Sequence, residues 1–392
     1  MAGKKLIISN KSNKPDNIVM HEAEIYSKCE EFEALMPRFM RSFFIYLRGN
    51  VLPMTRLAYL RDINFFFEYL INQTDLTSAE KVADIKASEL AELKAMDINL
   101  FIDYCRHYSI FDEESGNTYV YENSNKTLAR KKSSLSVMFK QLYRDEILPK
   151  NITDGFDPIR VQKAGEKEIK ALQDDEVMLM LDAVTNGTGL TKQEYNFWKK
   201  TKKRDKAILM LFITYGLRLS ELWQLNIDSF NFNRGEFIIY RKRGKESTMP
   251  LNNSVSDCLH DYIDNERPKE DTLMPEHKNA LFLSLQGKRM TERQLRQLVK
   301  KYTSIALHTS RDGGYSPHKL RATTATSLIG RGNSIYDVAA LLDHEQVTTT
   351  QLYAQHKKNV KRNLVNEMEW EEERKEGSID QKKTNKDNIV RK

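Results

Sequence analysis

The stretch SPHKLRATTATSLIGRGNSIYDVAALLDHEQVTTTQLY, residues 316–353, decides how the second half of the chain folds. Ser316 followed by Pro317 is a helix-start signal, because a capping hydroxyl precedes a proline in the first turn. The Gly-Arg-Gly cluster at 330–332 is the matching stop signal. Ser334 then opens another run with apolar residues at a period of 3.6. The stretch therefore predicts two short consecutive helices.

The second of these helices carries its own boundary signals. Ser334 is followed three residues later by Asp337, which resembles a capping box, although Glu or Gln is the usual residue at that position. The apolar period ends near Asp343, and the following VTTT segment is poor in helix formers. We therefore expect the second helix to run from about 335 to 343.

Four polar residues of this stretch stand out by their order and spacing. His318 and Arg321 lie three residues apart, so they share one helical face. His344 follows at the end of the second helix, and Tyr353 comes nine residues after His344. Each of them taken alone could be a packing or surface residue, and it is their order that points to chemistry.

This order resembles the C-terminal signature of the tyrosine recombinases, the phage-integrase and Xer family. The family also carries an arginine in a Gly-x-Arg-x-Ser-Glu turn and a lysine on a β-hairpin. Here TYGLRLSELWQL supplies Arg218, with Glu221 as a supporting carboxylate. FIIYRKRGKESTMPL supplies Lys242, counted back from its Pro-Leu end, with Lys245 as a companion. The resemblance implies these catalytic residues: Arg218, Lys242, His318, Arg321, His344 and Tyr353.

The resemblance implies a strand transfer that needs neither metal nor ATP. Tyr353 would attack the phosphorus and conserve the bond energy in a 3′-phosphotyrosyl link. Arg218 and Arg321 would meet the charge of the transition state. Lys242 would protonate the leaving 5′ oxygen, while the two histidines would bond the phosphate. No carboxylate cluster lies in this segment, which disfavours a two-metal nuclease. We expect no cofactor and no metal site.

Two positions depart from the family pattern. Asp343 stands where the family usually shows Gly, and Ala322 replaces the frequent His after the arginine. Before Arg218 the chain carries a lysine-rich insertion at 186–206, which also resembles the XerS branch of Gram-positive bacteria. The insertion could contact DNA, contact a partner or form plain surface.

The resemblance implies a mostly α fold with a small β-hairpin or sheet. It implies an N-terminal, SAM-like helical core-binding domain and a mixed α/β tyrosine-recombinase catalytic domain. Helical periodicity from about residue 24 to 148 fits the first domain, and the proline- and glycine-bearing segment after it fits a linker. We expect a flexible basic arm at 1–22, the core-binding domain at 23–150, a linker at 151–168, the catalytic domain with a C-terminal docking helix at 169–375, and a disordered charged tail at 376–392.

Composition sets the class of protein and its partners. The 392 residues exceed the usual size of one domain, and a net charge of +7 favours a polyanionic partner. Cys29, Cys105 and Cys258 are widely spaced without a CxxC pair, which favours neither disulfides nor a zinc cluster. The N-terminus lacks a secretory or membrane-spanning apolar run. We expect a cytoplasmic protein that does not bind membranes.

Basic residues of the first domain are candidates for DNA-phosphate contacts. Several of them precede an amphipathic run within a predicted helix, and each neutralised phosphate would make affinity salt-dependent. A solvated surface face is the alternative interpretation. The candidates for DNA binding are Lys126, Arg130, Lys131, Lys132, Arg56, Arg61 and, in the second domain, Lys245.

The family's assembly implies a definite set of partners. The first partner is double-stranded DNA with inverted-repeat core sites. On that DNA four copies would form a homotetramer, joined by exchange of their C-terminal helices. The tetramer would work through a Holliday junction. A type IB topoisomerase, which religates the same strand as a monomer, is the nearest alternative. A non-catalytic DNA-binding protein is another, and the presence of all six residue types argues against it. The target sequence, and the choice among dimer resolution, integration or excision, and inversion, stay open.

Overall fold

The computed structural model describes residues 14–162, 169–241 and 244–343. The chain divides into two compact units, Met1–Lys163 with Tyr240–Lys245 and Ala164–Ile239 with Glu246–Lys392. Three predicted catalytic residues, Lys242, His344 and Tyr353, lie outside the described residues, as do the predicted docking helix and the tail. The domain boundaries given above stay a prediction.

The first unit is built mainly from helices that enclose an aromatic core. Phe66 lies at its centre and makes edge-on contacts with Phe101 and Phe139, with ring centroids 5.0 and 6.3 Å apart. Such contacts add to the free energy gained by burying the rings. The helices are α1 (Asp16–Leu35), α2 (Arg41–Asn50), α3 (Pro53–Gln73), α4 (Ala87–Glu92), α5 (Ala95–Tyr104) and α6 (Asn125–Arg144).

Two features of this unit differ from the sequence expectations. Helix α1 begins at Asp16, inside the stretch expected to be a flexible arm, because Ile18 and Ile25 are buried. A β-hairpin that we did not predict joins α5 to α6, with β1 at His107–Asp112 paired antiparallel to β2 at Asn117–Glu122. Its turn uses Gly116 at φ 65°, a conformation that glycine adopts without strain.

The second unit combines helices with a three-stranded sheet. Its core includes Phe212, Val299 and Tyr302, which are fully buried. Strand β3 (Phe230–Asn231) pairs antiparallel with β4 (Glu236–Tyr240), and β5 (Glu246–Pro250) lies on the other side of β4. The helices are α7 (Asp174–Asn186), α8 (Lys192–Trp198), α9 (Lys202–Tyr215), α10 (Leu219–Trp223), α11 (Asn253–Asn265), α12 (Glu292–Ala306), α13 (Pro317–Gly330) and α14 (Ile335–Leu342).

The mostly helical fold with small sheets confirms the predicted fold class. Among the residues that the structure describes, no helix has both the length and the apolar character needed to cross a membrane. The lysine-rich insertion forms α8, and Trp198 anchors it because the buried indole donates a 2.8 Å hydrogen bond to the carbonyl of Val184. The insertion is therefore packed onto α7.

Helices α13 and α14 lie where the sequence predicts them, but their caps differ in detail. Ser316 occupies the N-cap of α13, yet its hydroxyl makes no capping hydrogen bond. The Ser334 hydroxyl accepts from the backbone N–H of Tyr336, at 3.2 Å. The predicted capping box with Asp337 is not formed. The Ser334 hydroxyl bonds the N–H of Tyr336 rather than that of Asp337, so the reciprocal pair of bonds that defines a capping box does not form.

Candidate active site

The site begins where α9 ends against α14. Gly216 caps α9 at φ 58°, in the left-handed region. A Cβ atom at this position would lie 2.6 Å from the Cδ2 atom of Leu342, the last residue of α14. A larger residue would therefore meet both backbone strain and a steric clash. Glycine lets the ends of α9 and α14 approach, which is what gathers the polar groups described next.

Glu221 is the buried carboxylate of this site, with 2 % of its surface exposed. Its Oε1 accepts a 2.7 Å hydrogen bond from Nη1 of Arg218, and its Oε2 accepts a 2.8 Å bond from the Arg218 backbone N–H. The same Oε2 lies 4.0 Å from Nη1 of Arg321. Glu221 thus fixes the orientation of Arg218 and partly neutralises both arginines.

The two guanidinium groups also bind backbone carbonyls at the ends of helices. Arg321, on α13, donates from Nη1 to the carbonyl of Gly216 at 2.7 Å and from Nη2 to the carbonyl of Leu342. Arg218 donates from Nη2 to the carbonyl of Asp343 at 2.9 Å. The Asp343 carboxylate lies farther away, 3.7 Å from Nη1 of Arg218. Planar guanidinium groups held in this way suit recognition of a phosphate.

Exposure differs between the two arginines. The side chain of Arg218 is 33 % exposed, whereas that of Arg321 is 3 % exposed. Arg218 therefore presents N–H donors to solvent, whereas the guanidinium group of Arg321 is buried. His318 is exposed on α13, one helical turn before Arg321. The structure brings Arg218, Glu221 and Arg321 together and places His318 on the same helix as Arg321.

The structure shows a group of lysines near His318 that we did not predict from the sequence. Lys319 lies with its Nζ 4.4 Å from the ring centroid of Tyr315. Burial, and then the positive charges of Lys170 and Lys300, lower the pKa of Lys319. These lysines come from three separate segments, so no local pattern could have indicated the cluster. Like charges gathered beside the site favour an anionic ligand.

The predicted catalytic residues Lys242, His344 and Tyr353 cannot be added to this geometry, since they lie outside the described residues. Lys245, the companion of Lys242, is exposed just before β5, and its backbone carbonyl accepts a 2.7 Å hydrogen bond from the N–H of Arg241. The roles of these residues stay predictions.

The structure separates the basic candidates of α6 into surface and structural residues. Lys126 is exposed at the start of the helix. Arg130 and Lys131 both pair with the buried carboxylate of Asp62, and Lys131 is itself 8 % exposed. Lys132 donates to backbone carbonyls in the segment that follows the helix. Lys126 is therefore the member of this group best placed to meet a phosphate.

The two candidate DNA-binding residues of α3 also differ in exposure. Arg56 is 3 % exposed and donates to Glu33 at 2.9 Å through Nε and at 2.5 Å through Nη2. This placement favours a structural role, because breaking a buried ion pair costs several kcal/mol. Arg61 is exposed and lies 5.9 Å from the ring centroid of Phe32. The DNA-binding roles of both residues stay predictions.

Lys126→Gln is expected to weaken DNA affinity and to reduce the slope of log affinity against log salt by about 0.9, the value for one lost phosphate contact. Lys140→Gln, at the other exposed end of α6, is the matched control. Fluorescence titrations at several salt concentrations measure both. An unchanged slope for Lys126→Gln would remove this residue from the DNA interface.

Two other potential nucleophiles among the described residues, Cys105 and Tyr215, are poorly suited to attack a phosphate. Burial raises the pKa of the Cys105 thiol to about 12, so that thiol stays protonated. Tyr215, next to Gly216, is 5 % exposed, and its hydroxyl accepts a 2.7 Å hydrogen bond from the Asn252 N–H. Burial also raises the pKa of Tyr215. Both side chains are thus core residues rather than reactive groups.

No group of three or more His, Cys, Asp and Glu residues that could hold a metal ion occurs within residues 14–162, 169–241 and 244–343. Glu221, the carboxylate at the centre of the site, is instead held by arginines.

Comparison with known proteins places the chain in a family. Residues 170–360 match the model of the phage integrase family. The chain is 31 % identical to the tyrosine recombinase XerC of Natranaerobius thermophilus over 282 residues, which is 71 % of this chain and 84 % of that protein. The chain therefore belongs to the phage integrase family of tyrosine recombinases.

Two further likenesses concern the sequence and the fold. The chain is 27 % identical to the tyrosine recombinase XerS of Streptococcus pyogenes over 357 residues, covering 85 % of this chain and 96 % of that protein. The fold matches the crystal structure of the XerH site-specific recombinase bound to palindromic difH substrate in a post-cleavage complex. That match has a TM-score of 0.54 at 18 % identity and covers 91 % of this chain and 90 % of the other.

Proposed function

We propose that this chain is a site-specific DNA recombinase that cuts and rejoins DNA through a 3′-phosphotyrosyl intermediate, without a metal or a nucleotide cofactor. The observation that carries the proposal is the pairing of Arg218 and Arg321 on the buried carboxylate of Glu221. Two cations fixed by one anion leave a net positive charge, which attracts a phosphodiester. The relatives named tyrosine recombinase support the same class of chemistry.

The proposed first step is attack by Tyr353 on the scissile phosphorus. The phenolic O–H of Tyr353 gives its proton to His318, and the P–O bond to the 5′ oxygen breaks as the bond to the phenolic oxygen forms, so no bond energy is lost to water. Lys242 gives a proton to the leaving 5′ oxygen. The reverse steps, with a 5′ hydroxyl of another strand as nucleophile, rejoin the DNA.

The arginines stabilise the charge that develops on the non-bridging oxygens. Fixed donors act strongly in such a site because they need no reorientation as the charge develops. Arg218 is poised for this contact, since its side chain is a third exposed. For Arg321 the phosphate has to replace the carbonyl of Leu342, so we expect the end of α14 to shift when DNA binds.

The proposed assembly follows the family. Four copies would sit on two DNA sites with inverted-repeat cores, exchange one pair of strands, pass through a Holliday junction and then exchange the other pair. The segment after Tyr353 would dock on a neighbouring copy and couple the activities. Such a protein would work in the cytoplasm, in contact with the DNA that it recombines.

Arg321→Lys tests the phosphate role of the arginine pair. Lysine keeps the charge but loses the planar group of donors, so cleavage is expected to fall by roughly 10²–10³-fold, as when one transition-state donor is removed. Arg331→Lys, at the exposed C-terminal end of the same helix, is the matched control. Single-turnover cleavage of a nicked suicide substrate measures both variants.

The same assay separates this proposal from its rivals. Equal cleavage by wild type and Arg321→Lys would contradict the role of the arginine pair. Cleavage followed by religation of the same strand only, with no joining between two sites, would favour a type IB topoisomerase. Binding to the true site with no cleavage at all would favour a DNA-binding protein without activity.

A further inference from the structure

The hairpin β1–β2 of the first unit exposes several large apolar side chains. Phe111 and Val120 are each 62 % exposed, and Ile110, Tyr119 and Tyr121 are each more than 40 % exposed. Monomeric proteins rarely expose so many large apolar groups together unless the patch binds something. In a two-stranded sheet each strand also has an unpaired edge, which natural proteins usually protect.

The hairpin is held firmly in place by stacked aromatic rings. Tyr104 of α5 stacks on Tyr108 of β1, with ring centroids 5.5 Å apart. Tyr108 in turn stacks on Tyr121 of β2 at 5.0 Å. Phe65 of α3 lies at the inner end of this series, 5.1 Å from Tyr108. The exposed residues therefore sit on an element that the core of the unit fixes in position, as a preorganised binding surface requires.

The strand register sorts the exposed residues onto two faces. Ile110 is paired with Tyr119, and Tyr108 with Tyr121, so these residues lie on the face that carries the aromatic stack. Phe111 lies on the opposite face. The face of Ile110, Tyr119 and Tyr121 is called the stacked face below.

The charge of the hairpin argues against DNA as its ligand. The strands and their turn contain the acidic residues Asp112, Glu113, Glu114 and Glu122 and no Lys or Arg. A surface that met phosphates would need the opposite charge. The fitting occupant is a protein surface that is basic and partly apolar.

The chain itself carries such a surface on the exposed side of α2. Arg41 and Ile45 are exposed and four residues apart, so they share one helical face, and exposed Arg38 precedes them by almost one turn. Ile45 is 67 % exposed. Two arginines beside an exposed isoleucine complement an acidic turn beside Ile110 and Tyr119.

We propose that the hairpin of one copy docks through its stacked face and acidic turn on the Arg38–Arg41–Ile45 surface of a second copy when two copies lie side by side on DNA. This inference rests on the proposed function, because it is the recombination site that brings the copies together. The contact joins two different surfaces, so its repetition can close a ring of copies.

The experiment measures the affinity of the full-length protein for DNA with one binding half-site and with two, and takes the ratio as cooperativity. Glu113→Lys with Glu114→Lys is expected to lower cooperativity by about 10-fold, as is Arg38→Glu with Arg41→Glu, because each change places like charges together. Combining all four substitutions is expected to restore cooperativity to within about 3-fold of wild type, because the charges match again. Half-site affinity corrects for direct effects on DNA.

A second pair of variants tests the apolar part of the contact. Ile110→Thr with Tyr119→Thr removes the apolar pair of the stacked face and keeps residues that favour strands. Cooperativity is expected to fall about 10-fold, the effect of losing ~1.4 kcal/mol. Phe111→Thr with Val120→Thr is the matched control on the other face, and it is expected to leave cooperativity within about 2-fold, as for near-neutral sites.

The docking would be overturned if cooperativity stayed unchanged in the acidic-turn variant and in the stacked-face variant. It would also be overturned if the variant with all four charge substitutions were no more cooperative than the two double variants that it combines. That result is distinct from a failure of the proposed function, which would appear as a wild-type protein that forms no covalent adduct on cleavable DNA. A wild-type adduct with unaltered cooperativity in every variant would reject the hairpin contact alone.

Discussion

Tyr353→Phe is expected to abolish the covalent adduct between protein and DNA. The substitution removes one oxygen atom, the proposed nucleophile, and leaves a ring of nearly the same shape. Removing the nucleophile of a covalent catalyst lowers the rate by roughly 10⁴-fold or more, so no adduct should form on the time scale of the assay. A denaturing gel of protein mixed with nicked suicide substrate measures the adduct directly.

The matched control for this variant is Tyr336→Phe. Tyr336 lies on α14 with 71 % of its surface exposed, and it is close to Tyr353 in the sequence. This control should form the adduct at the wild-type rate and bind DNA with unchanged affinity. An adduct that persists in Tyr353→Phe and disappears in Tyr336→Phe would move the nucleophile to α14 and contradict the assignment.

Glu221→Gln is expected to destabilise the second unit by about 3 kcal/mol, the lower end of the cost of breaking a buried ion pair. The carboxylate is buried and lies between Arg218 and Arg321. A neutral amide would leave two neighbouring cations without their shared anion. Urea unfolding followed by tryptophan fluorescence measures the change, because Trp198 and Trp223 both belong to this unit.

The control for Glu221→Gln is an exposed carboxylate with an arginine neighbour. Glu236 on β4 lies 3.8 Å from Arg234, and both side chains are exposed. Glu236→Gln should change the stability of the unit by no more than about 0.5 kcal/mol, as usual for surface pairs. Equal stabilities of the two variants would mean that Glu221 does not hold the arginine pair together.

Local signals explain what the sequence could predict. Helices α13 and α14 could be predicted because Ser316, Pro317 and Ser334 mark where they begin, and each signal occupies only a few consecutive residues. The hairpin β4–β5 could be predicted for the same reason, from the Phe, Ile and Tyr residues of β4 that precede a basic segment. The hairpin β1–β2 was missed because the helical period of its neighbours was extended through it, although its alternating aromatic and β-branched residues favour strands.

The environment of the basic residues could not be predicted because it depends on distant partners. Arg130 and Asp62 are 68 residues apart in the chain, and Arg56 and Glu33 are 23 apart. The sequence indicates the positive charges of α3 and α6 but not the carboxylates that they meet. In the same way, Gly216 matters because it touches Leu342, and no pattern around residue 216 contains that information.

Peptide mapping of the covalent adduct tests the central claim most directly. After nuclease treatment, trypsin releases residues 332–357, which contain both Tyr336 and Tyr353, so fragmentation has to assign the nucleotide remnant to one of them. We predict a nucleotide joined through a 3′-phosphate to Tyr353. A remnant on Tyr336 or on any other residue, or a wild-type protein that binds its site without forming an adduct, would contradict the account.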